Sequence, residues 1–450
     1  MKKLVVLLVV VALTCISAMA FAADISVGGQ FDIRGRDFVN TSAAPSNPSS
    51  PDTNGTTRDT QERVRLDVNV KAGDDVKAKL EIENDWDTWG RLEAPQANNK
   101  GGGNAGFPDF REAWVSFNLP GLPLNVTGGH QLLQLGNGWF LRNMKYGDDA
   151  WVVANVTGAN TAAFVDIKAA EVNAAKADDV DAYAFLDMLK LGDGLVVGVD
   201  FSFAKDRKNA LGFTTDFNQT KLYNLGLNVN GKFGPVALKA EVDQQAGTAK
   251  NADLYPAGIY GYTGPTGAIH QDAKVKGNQI VVQGNVGMDP ITINFTAARG
   301  SGAKTNQTDY NQFVNFLDKD QHYTFLYEYK VKTAGGAVND GFVNTTALSA
   351  GVSAGVTKSL LVGADFWLLR ATQAVALNGA VDPFSNLPAT SRKVGTELDM
   401  KVNWQMYENL SWNWSFGYFK AGAAYDTMVN GTPASADKVF GIQNVITLKF

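Results

Sequence analysis

The sequence has almost no cysteine and, beyond its first residues, no long apolar run. Cys15 is the single cysteine among 450 residues, and it lies in an N-terminal segment that we expect to be removed. A mature chain without thiols excludes disulfides, thiolate metal sites and cysteine catalysis. No run after residue 22 approaches the ~20 apolar residues that a membrane-spanning helix needs.

Histidine and excess positive charge are also lacking. The three histidines, His130, His270 and His322, lack the spacing of metal ligands, so we expect no metal and no cofactor. The formal net charge of −5 argues against a nucleic-acid partner. A hydrolase with a Ser–His pair must be considered, but His322 stands on a predicted strand with Thr324 and has no clear orienting group. We therefore expect no enzyme.

The first residues have the pattern of an export signal. Lys2 and Lys3 precede an apolar stretch from Leu4 to Leu13, and alanines follow at positions 18, 20 and 22. A basic, then an apolar, then a small-residue region is typical of a secretory signal peptide. We therefore expect residues 1–22 to be a signal peptide and residues 23–450 to form a single exported domain.

The remaining chain alternates between apolar and polar residues. Val64, Leu66 and Val68, for example, interleave with Arg65 and Asp67. Such period-2 alternation predicts strands with one apolar face. Short turns alternate with long connections such as 39–60, 90–107 and 133–148, and either of the latter two could constrict a pore. We predict an all-β fold, a transmembrane antiparallel up-and-down β-barrel with short periplasmic turns and long extracellular loops.

The number of strands follows from parity, because both ends of the chain should lie on the periplasmic side. The count reaches 18 if 309–317 forms a strand, with a turn at Asp318-Lys-Asp320, and if the weak hairpin at 149–168 is omitted. We therefore predict about 18 strands, with 16 to 20 compatible with the pattern. A barrel of this size has a water-filled lumen.

The last residues alternate in the same way and end on an aromatic residue. The apolar face carries Phe440, Ile442, Ile446, Leu448 and Phe450, interrupted by Asn444. This ending resembles the assembly signal of Gram-negative outer-membrane barrels. The resemblance implies an outer-membrane location, recognition by the barrel-assembly machinery and contact with membrane lipid and lipopolysaccharide.

Charged side chains decide which face of each strand points into the barrel. A Lys or Arg facing lipid at mid-bilayer costs roughly 2–4 kcal/mol, so the charged faces must line the lumen. The predicted pore-lining residues are Arg34, Arg36, Arg63, Arg65, Lys77, Lys79, Glu81, Glu83, His130, Trp367, Glu397, Asp399 and Lys401. Trp367 could also stack on a sugar inside the pore, whereas most other tryptophans fit an aromatic girdle at the membrane interfaces.

The second and third strands carry a charged ladder. If Val70 faces Val76, then Arg65 faces Glu81 and Asp67 faces Lys79, with Arg63 opposite Glu83. A slip of two residues would oppose Asp67 and Glu81, and like charges destabilise such pairs, so we predict the first register. The ladder could stiffen the wall or filter solutes. Arg34 and Arg36 have no evident acidic partner and predict a weak preference for anions.

A family resemblance appears at Val126-Thr-Gly-Gly-His-Gln-Leu-Leu-Gln-Leu-Gly-Asn-Gly-Trp139. This segment is similar to the Gly-Arg-Gln-x-Leu-x-x-Gly-x-Gly segment of alginate-export-type and related porins. His130 stands where that family has Arg, so the resemblance favours a porin of this superfamily over an alginate exporter.

The function we expect is passive diffusion of small hydrophilic solutes through an outer-membrane porin, with anionic solutes favoured by Arg34 and Arg36. The alternative is a structural or interaction barrel, such as a scaffold or a sheath for a periplasmic electron carrier. The absence of Cys-x-x-Cys-His means that the chain carries no c-type haem of its own. The sequence leaves homo-oligomers open.

Overall fold

The computed structural model describes residues 23–43, 55–89, 109–171, 179–207, 220–254, 269–303, 309–317, 321–331, 333–334, 340–381, 388–429 and 432–450. The predicted signal peptide, residues 1–22, and the predicted loop 90–107 lie outside the described residues. Within these ranges, no helix has the length and apolar character required to cross a membrane.

The described residues form strands joined by tight turns and longer connections. In chain order the strands are β1 Ala23–Val39, β2 Thr57–Ala72, β3 Val76–Thr88, β4 Asp109–Asn118, β5 Asn125–Gln134, β6 Arg142–Thr157, β7 Asn160–Ala170, β8 Val180–Leu191, β9 Leu195–Asp206, β10 Thr220–Phe233, β11 Val236–Leu254, β12 Ile269–Val275, β13 Asn278–Met288, β14 Ile291–Gly300, β15 Thr345–Thr357, β16 Leu360–Val381, β17 Pro388–Tyr407, β18 Leu410–Ala421, β19 Thr427–Val429, β20 Thr432–Ala434 and β21 Lys438–Lys449. A single helical turn, Ala423–Tyr425, follows β18.

These strands close into an antiparallel barrel of 18 strands, because β12 and β13 pair in succession with β11 and β19–β20 is a small separate hairpin. Closure comes from β1, which pairs with β2 on one side and with β21 on the other. The predicted fold class and strand number are therefore confirmed.

The set of strands differs from the predicted set in two places. The hairpin that we omitted is present as β6 and β7, with Val152 opposite Val165. Its alternation is weak because the inward residues Val165 and Ile167 are apolar too, being covered inside the barrel. Conversely, 309–317 forms no strand. The Gln245 side chain accepts from the Val314 N–H at 3.0 Å and donates to the Val314 carbonyl at 2.7 Å, which replaces strand pairing.

The barrel is apolar outside and polar inside. Neighbouring residues show the alternation: Phe201 is 46% exposed whereas Asp200 is 3% exposed, and Leu227 is 55% exposed whereas Asn228 is 7% exposed. An exposed apolar belt of this kind is stable only against lipid. The fold thus gives the charged residues a sheltered interior.

The seam between β1 and β21 matches glycine on one strand with a large side chain on the other. Gly29 and Phe450 exchange backbone hydrogen bonds of 2.9 and 3.1 Å, and a Cβ on Gly29 would lie 2.5 Å from the Phe450 ring. Gly35 similarly faces Asn444, and Gly441 faces Phe38. The outward Asn444 that interrupts the apolar row accepts a hydrogen bond from Trp412 Nε1 at 3.4 Å.

Candidate functional site

The charged ladder exists, but its register is the one that we rejected. Val70 faces Ala78, Arg65 faces Glu83 and Asp67 faces Glu81. The register that we predicted from like-charge repulsion is therefore wrong. The prediction considered only charge pairs between β2 and β3, and it left out the cations that Lys79 and Arg111 place beside Glu81.

Glu81 receives its positive charge from its own strand and from β4. Its carboxylate lies 3.0 Å from Lys79 Nζ and 2.6 Å from Arg111 Nη1. Arg65 binds Glu83, and Arg63 binds Asp32 on β1 at 2.8 Å instead of the predicted Glu83. The ladder is thus a network across β1 to β4, and it offsets the repulsion between Asp67 and Glu81.

Arg34 and Arg36 differ in their partners, although the sequence suggested that both were unpaired. Arg36 Nε donates to Asp59 Oδ1 at 2.8 Å and forms a second contact with the same carboxylate. Arg34 instead binds the amide oxygen of Gln61, and its guanidinium lies 3.7 Å from the centre of the Trp86 ring. Among the described side chains, no carboxylate is hydrogen-bonded to Arg34, so its charge is less fully compensated than that of Arg36.

The connection between β5 and β6 crosses part of the lumen and is held by a carboxylate on a distant strand. Glu241 of β11 accepts hydrogen bonds from the backbone N–H groups of Asn137 and Trp139, the latter at 3.1 Å. Gly136 can approach because a Cβ there would lie 2.8 Å from the Glu241 carboxylate. The predicted constricting connection 133–148 thus does enter the barrel, through residues 135–141.

A second segment, between β14 and β15, also lies inside the barrel. Glu397 of β17 accepts the N–H of Leu326 at 2.6 Å and of Tyr327 at 2.9 Å, and Asp399 accepts the N–H of Phe325 at 3.1 Å. Glu397 is fully buried. These two predicted pore-lining carboxylates face inward, but they bind a segment of the chain.

The two inner segments meet in an aromatic cluster. The Trp139 ring centre lies 4.7 Å from that of Phe342 and 6.4 Å from that of Tyr323. Tyr323 in turn lies 5.4 Å from Trp367, which is 5% exposed. Trp367 therefore points inward as predicted, yet it is covered by the segment and offers no open stacking surface. The cluster fills part of the lumen and extends to Phe38 on β1.

A lysine of the second segment adds charge near Arg34. Lys330 Nζ lies 4.9 Å from the centre of the Phe38 ring and 4.0 Å from that of Tyr329. Burial and the nearby Arg36 and Arg34 lower the pKa of Lys330, although Tyr329 opposes the shift. Burial raises the pKa of Tyr329, but Lys330, Arg34 and Arg36 outweigh it, so that pKa lies below its ordinary value.

The other predicted residues are distributed around this region. Lys401 points inward and lies 3.7 Å from Asp365. Lys77 follows the inward parity of Lys79 near the turn to β2 and is exposed. His130 differs, because it faces Ala113 and Asp149 on the outward side of β5, and its ring nitrogens lie 2.9 Å from Asp149 Oδ1 and 2.7 Å from the Tyr146 carbonyl. The structure thus places His130 on the outside of the wall.

His322 does not stand on a strand, because residues 321–331 form turns inside the barrel. Its Nδ1 lies 2.7 Å from Glu328 Oε2, so a carboxylate orients the ring. Sequence reasoning missed this pair, together with Arg111, Glu241 and Lys330. Glu241 left a signal, because it shares a polar strand face with Lys239 and Asp243 and alternates with apolar neighbours.

No protein-family model matches the chain, and no curated protein matches it in sequence. Solved structures do match its fold. OccK8 (OprE) from Pseudomonas aeruginosa is 10% identical with a TM-score of 0.57, and the match covers 95% of this chain and 98% of that one. OccAB1 from Acinetobacter baumannii is 13% identical with a TM-score of 0.54, covering 95% and 97%. The outer membrane protein OpdK from Pseudomonas aeruginosa is 9% identical with a TM-score of 0.52, covering 94% and 99%. At these identities the likeness establishes a shared barrel fold.

Proposed function

We propose that this protein is an outer-membrane channel through which small hydrophilic solutes diffuse passively, with a preference for anionic ones. The observation that supports the proposal best is the charged ladder beside the packed segments. Side chains of the ladder keep water access, as Arg63 is 14% exposed and Lys79 is 23% exposed. A closed wall with wetted charges on its inner face is the arrangement by which barrels select solutes.

The surroundings of the channel follow from the same proposal. An exported chain with a removed signal peptide would reach the outer membrane, where the barrel-assembly machinery would recognise its last strand. Its neighbours would be membrane lipid and lipopolysaccharide, and the proposal leaves a homo-oligomer open. Of the pore-lining residues, the exposure of their side chains favours Arg36, Arg63, Arg65 and Lys79 as those that solutes meet. Arg34 is buried, so it would act on solutes through its charge.

The sheath alternative fits the structure less well. A barrel that surrounds a protein carrier needs an empty interior, whereas the segments 135–141 and 321–331 occupy part of this one. The proposal also assigns no enzymatic activity, because a channel needs none.

Reconstitution into planar bilayers tests the channel. Folded protein should give stepwise conductance, and its reversal potential under a KCl gradient should indicate anion preference. Denatured protein at the same concentration is the control. Sealed bilayers at high protein density would overturn the proposal, and stoichiometric co-purification of a haem protein would favour the sheath.

A further inference from the structure

Three pairs of cations face each other directly on the outside of the barrel, two at strand ends next to long connections and one within β16 and β17. The pairs are Lys205 with Lys221, Arg370 with Lys393, and Lys420 with Lys438. Like charges directly opposite each other destabilise a sheet. Lys205 also stands opposite Asp181 on its other side, but that carboxylate pairs with Lys168. A bound anion at each pair would therefore offset repulsion that the described carboxylates leave.

All six side chains point away from the lumen. Their strand neighbours are buried on the inner face, as shown by Ala204 at 3%, Leu222 at 1% and Phe419 at 0% exposure. The cations themselves are exposed or half-exposed. Among the described residues, none of the six forms an ion pair with a carboxylate.

Outward cations on the other half of the barrel are different, because carboxylates neutralise them. Arg58 lies 2.9 Å from Asp37, and Lys168 lies 2.6 Å from Asp179 and 3.1 Å from Asp181. On the half formed by β9 to β21, the exposed Lys276 is likewise paired, with Asp309 at 2.5 Å. The six unpaired cations are therefore a distinct subset and not a general feature of the rim.

The surface below the cations is the interfacial part of the lipid-facing belt. Phe203 and Tyr223 stack with ring centres 4.8 Å apart, one side-chain step below Lys205 and Lys221. Tyr418 and Phe440 face each other in the same position below Lys420 and Lys438. Aromatic girdles mark the membrane interface, so the cations stand at the level of the lipid headgroups.

We propose that these pairs bind the phosphate groups of outer-leaflet glycolipid, with one phosphate shared by each pair. Directly opposite Cβ atoms are about 5 Å apart, so two long cationic side chains can converge on one phosphate. An amphiphile fits better than free phosphate, because two of the pairs adjoin aromatic side chains and Arg370 adjoins the exposed Leu368 on the same face of its strand. The inference rests on the outer-membrane location proposed above, but it does not require the barrel to conduct.

The test measures binding of purified lipopolysaccharide to the full barrel in neutral detergent. Two variants each lose one pair, Lys205→Ser with Lys221→Ser, and Lys420→Ser with Lys438→Ser. The matched control, Lys190→Ser with Lys232→Ser, removes two exposed lysines next to the short turns at the opposite rim. Each pair variant should bind about tenfold more weakly, because a cation near an anionic membrane surface contributes appreciably to binding, and the control should bind as the native protein does.

A second comparison needs no variant, so it remains decisive if a variant does not fold. Native protein should bind enzymatically dephosphorylated lipopolysaccharide about tenfold more weakly than the intact form, and high salt should remove the difference. Equal binding of both forms would overturn the proposal, as would pair variants that bind like the native protein. A barrel that binds lipopolysaccharide but does not conduct would contradict the channel and leave this inference intact.

Discussion

On the wall formed by β1 to β4, buried carboxylates such as Glu81 and Glu83 face guanidinium and ammonium groups. On β11 and β17, equally buried carboxylates such as Glu241 and Glu397 face backbone N–H groups of segments that enter the barrel. The first kind fixes charges along the lumen, whereas the second fixes the shape of the lumen. The difference shows that a buried inward carboxylate is not by itself a pore-lining charge.

The largest effect is expected for Glu397→Ala. It leaves the N–H groups of Leu326 and Tyr327 without their acceptor, and each unsatisfied buried group costs roughly 1–3 kcal/mol. The segment 321–331 should therefore detach from β17 and widen the lumen. Single-channel conductance should rise, and hydrogen exchange of these amides should accelerate.

Glu83→Ala is the matched control for this change. It removes an equally buried carboxylate, but one that binds Arg65. It should alter ion selectivity without exposing the amides of Leu326 and Tyr327. If the amides of Leu326 and Tyr327 exchange at the same rate in both variants, the two kinds of carboxylate do not differ in the way proposed here.

The next effect separates Arg34 from Arg36. Arg34→Ser should shift the chloride-to-potassium permeability ratio toward potassium by about two- to fivefold, because an unpaired charge acts strongly within a screening length of about 8 Å. Arg36→Ser should shift it less, because Asp59 already compensates that charge. Reversal potentials under a KCl gradient measure both. Equal shifts would mean that Asp59 does not neutralise Arg36 in the conducting barrel.

A smaller effect is expected from pH. Lys330 is charged below its pKa and neutral above it, and burial together with Arg36 and Arg34 lowers that pKa from 10.5. Anion preference should thus be complete near neutral pH and decline on alkaline titration before an ordinary lysine would lose its proton. Lys330→Gln should reduce this decline, and Tyr329→Phe should reduce it as well, because ionisation of Tyr329 also lowers the positive potential. A titration that is unchanged in Lys330→Gln would assign the decline to another group.

The smallest effect is expected for His130→Arg. The resemblance to alginate-export-type porins suggests a functional arginine here, but the side chain lies outside the wall beside Asp149. The new arginine should pair with Asp149, and the reversal potential should stay unchanged. A shift as large as that of Arg34→Ser would place this residue in the conduction path.

The sequence predicts the barrel well because strand parity is a local property. The two faces of each strand can be read from the alternation of adjacent residues in the sequence. Contacts between neighbouring strands are also close in sequence, as the Arg65–Glu83 contact joins residues only 18 positions apart. The contact between Glu397 and Leu326 joins residues 71 positions apart, and that between Glu241 and Asn137 joins residues 104 apart. No periodicity signals such pairs. The chain segments inside the barrel cover Val165 and Ile167, and these inward apolar residues weakened the alternation of the β6–β7 hairpin. Phe313 and Phe316 belong to the connection between β14 and β15, and their apolar character led to the wrong prediction of a strand at 309–317.

The seam between β1 and β21 also limits how the barrel can close. A slip of two residues in the pairing keeps every side chain on its own face of the strand. The preference of apolar side chains for lipid and of polar ones for water therefore does not exclude such a slip. Such a slip would set Phe450 against Val27 in place of Gly29, and Gly35 against Ile442 in place of Asn444. Only the native alignment lets each large side chain meet a glycine. The register of the β1–β21 pairing sets the circumference of the barrel and the tilt of its strands. Gly29, Gly35 and Gly441 therefore help to determine both when the two ends of the chain pair.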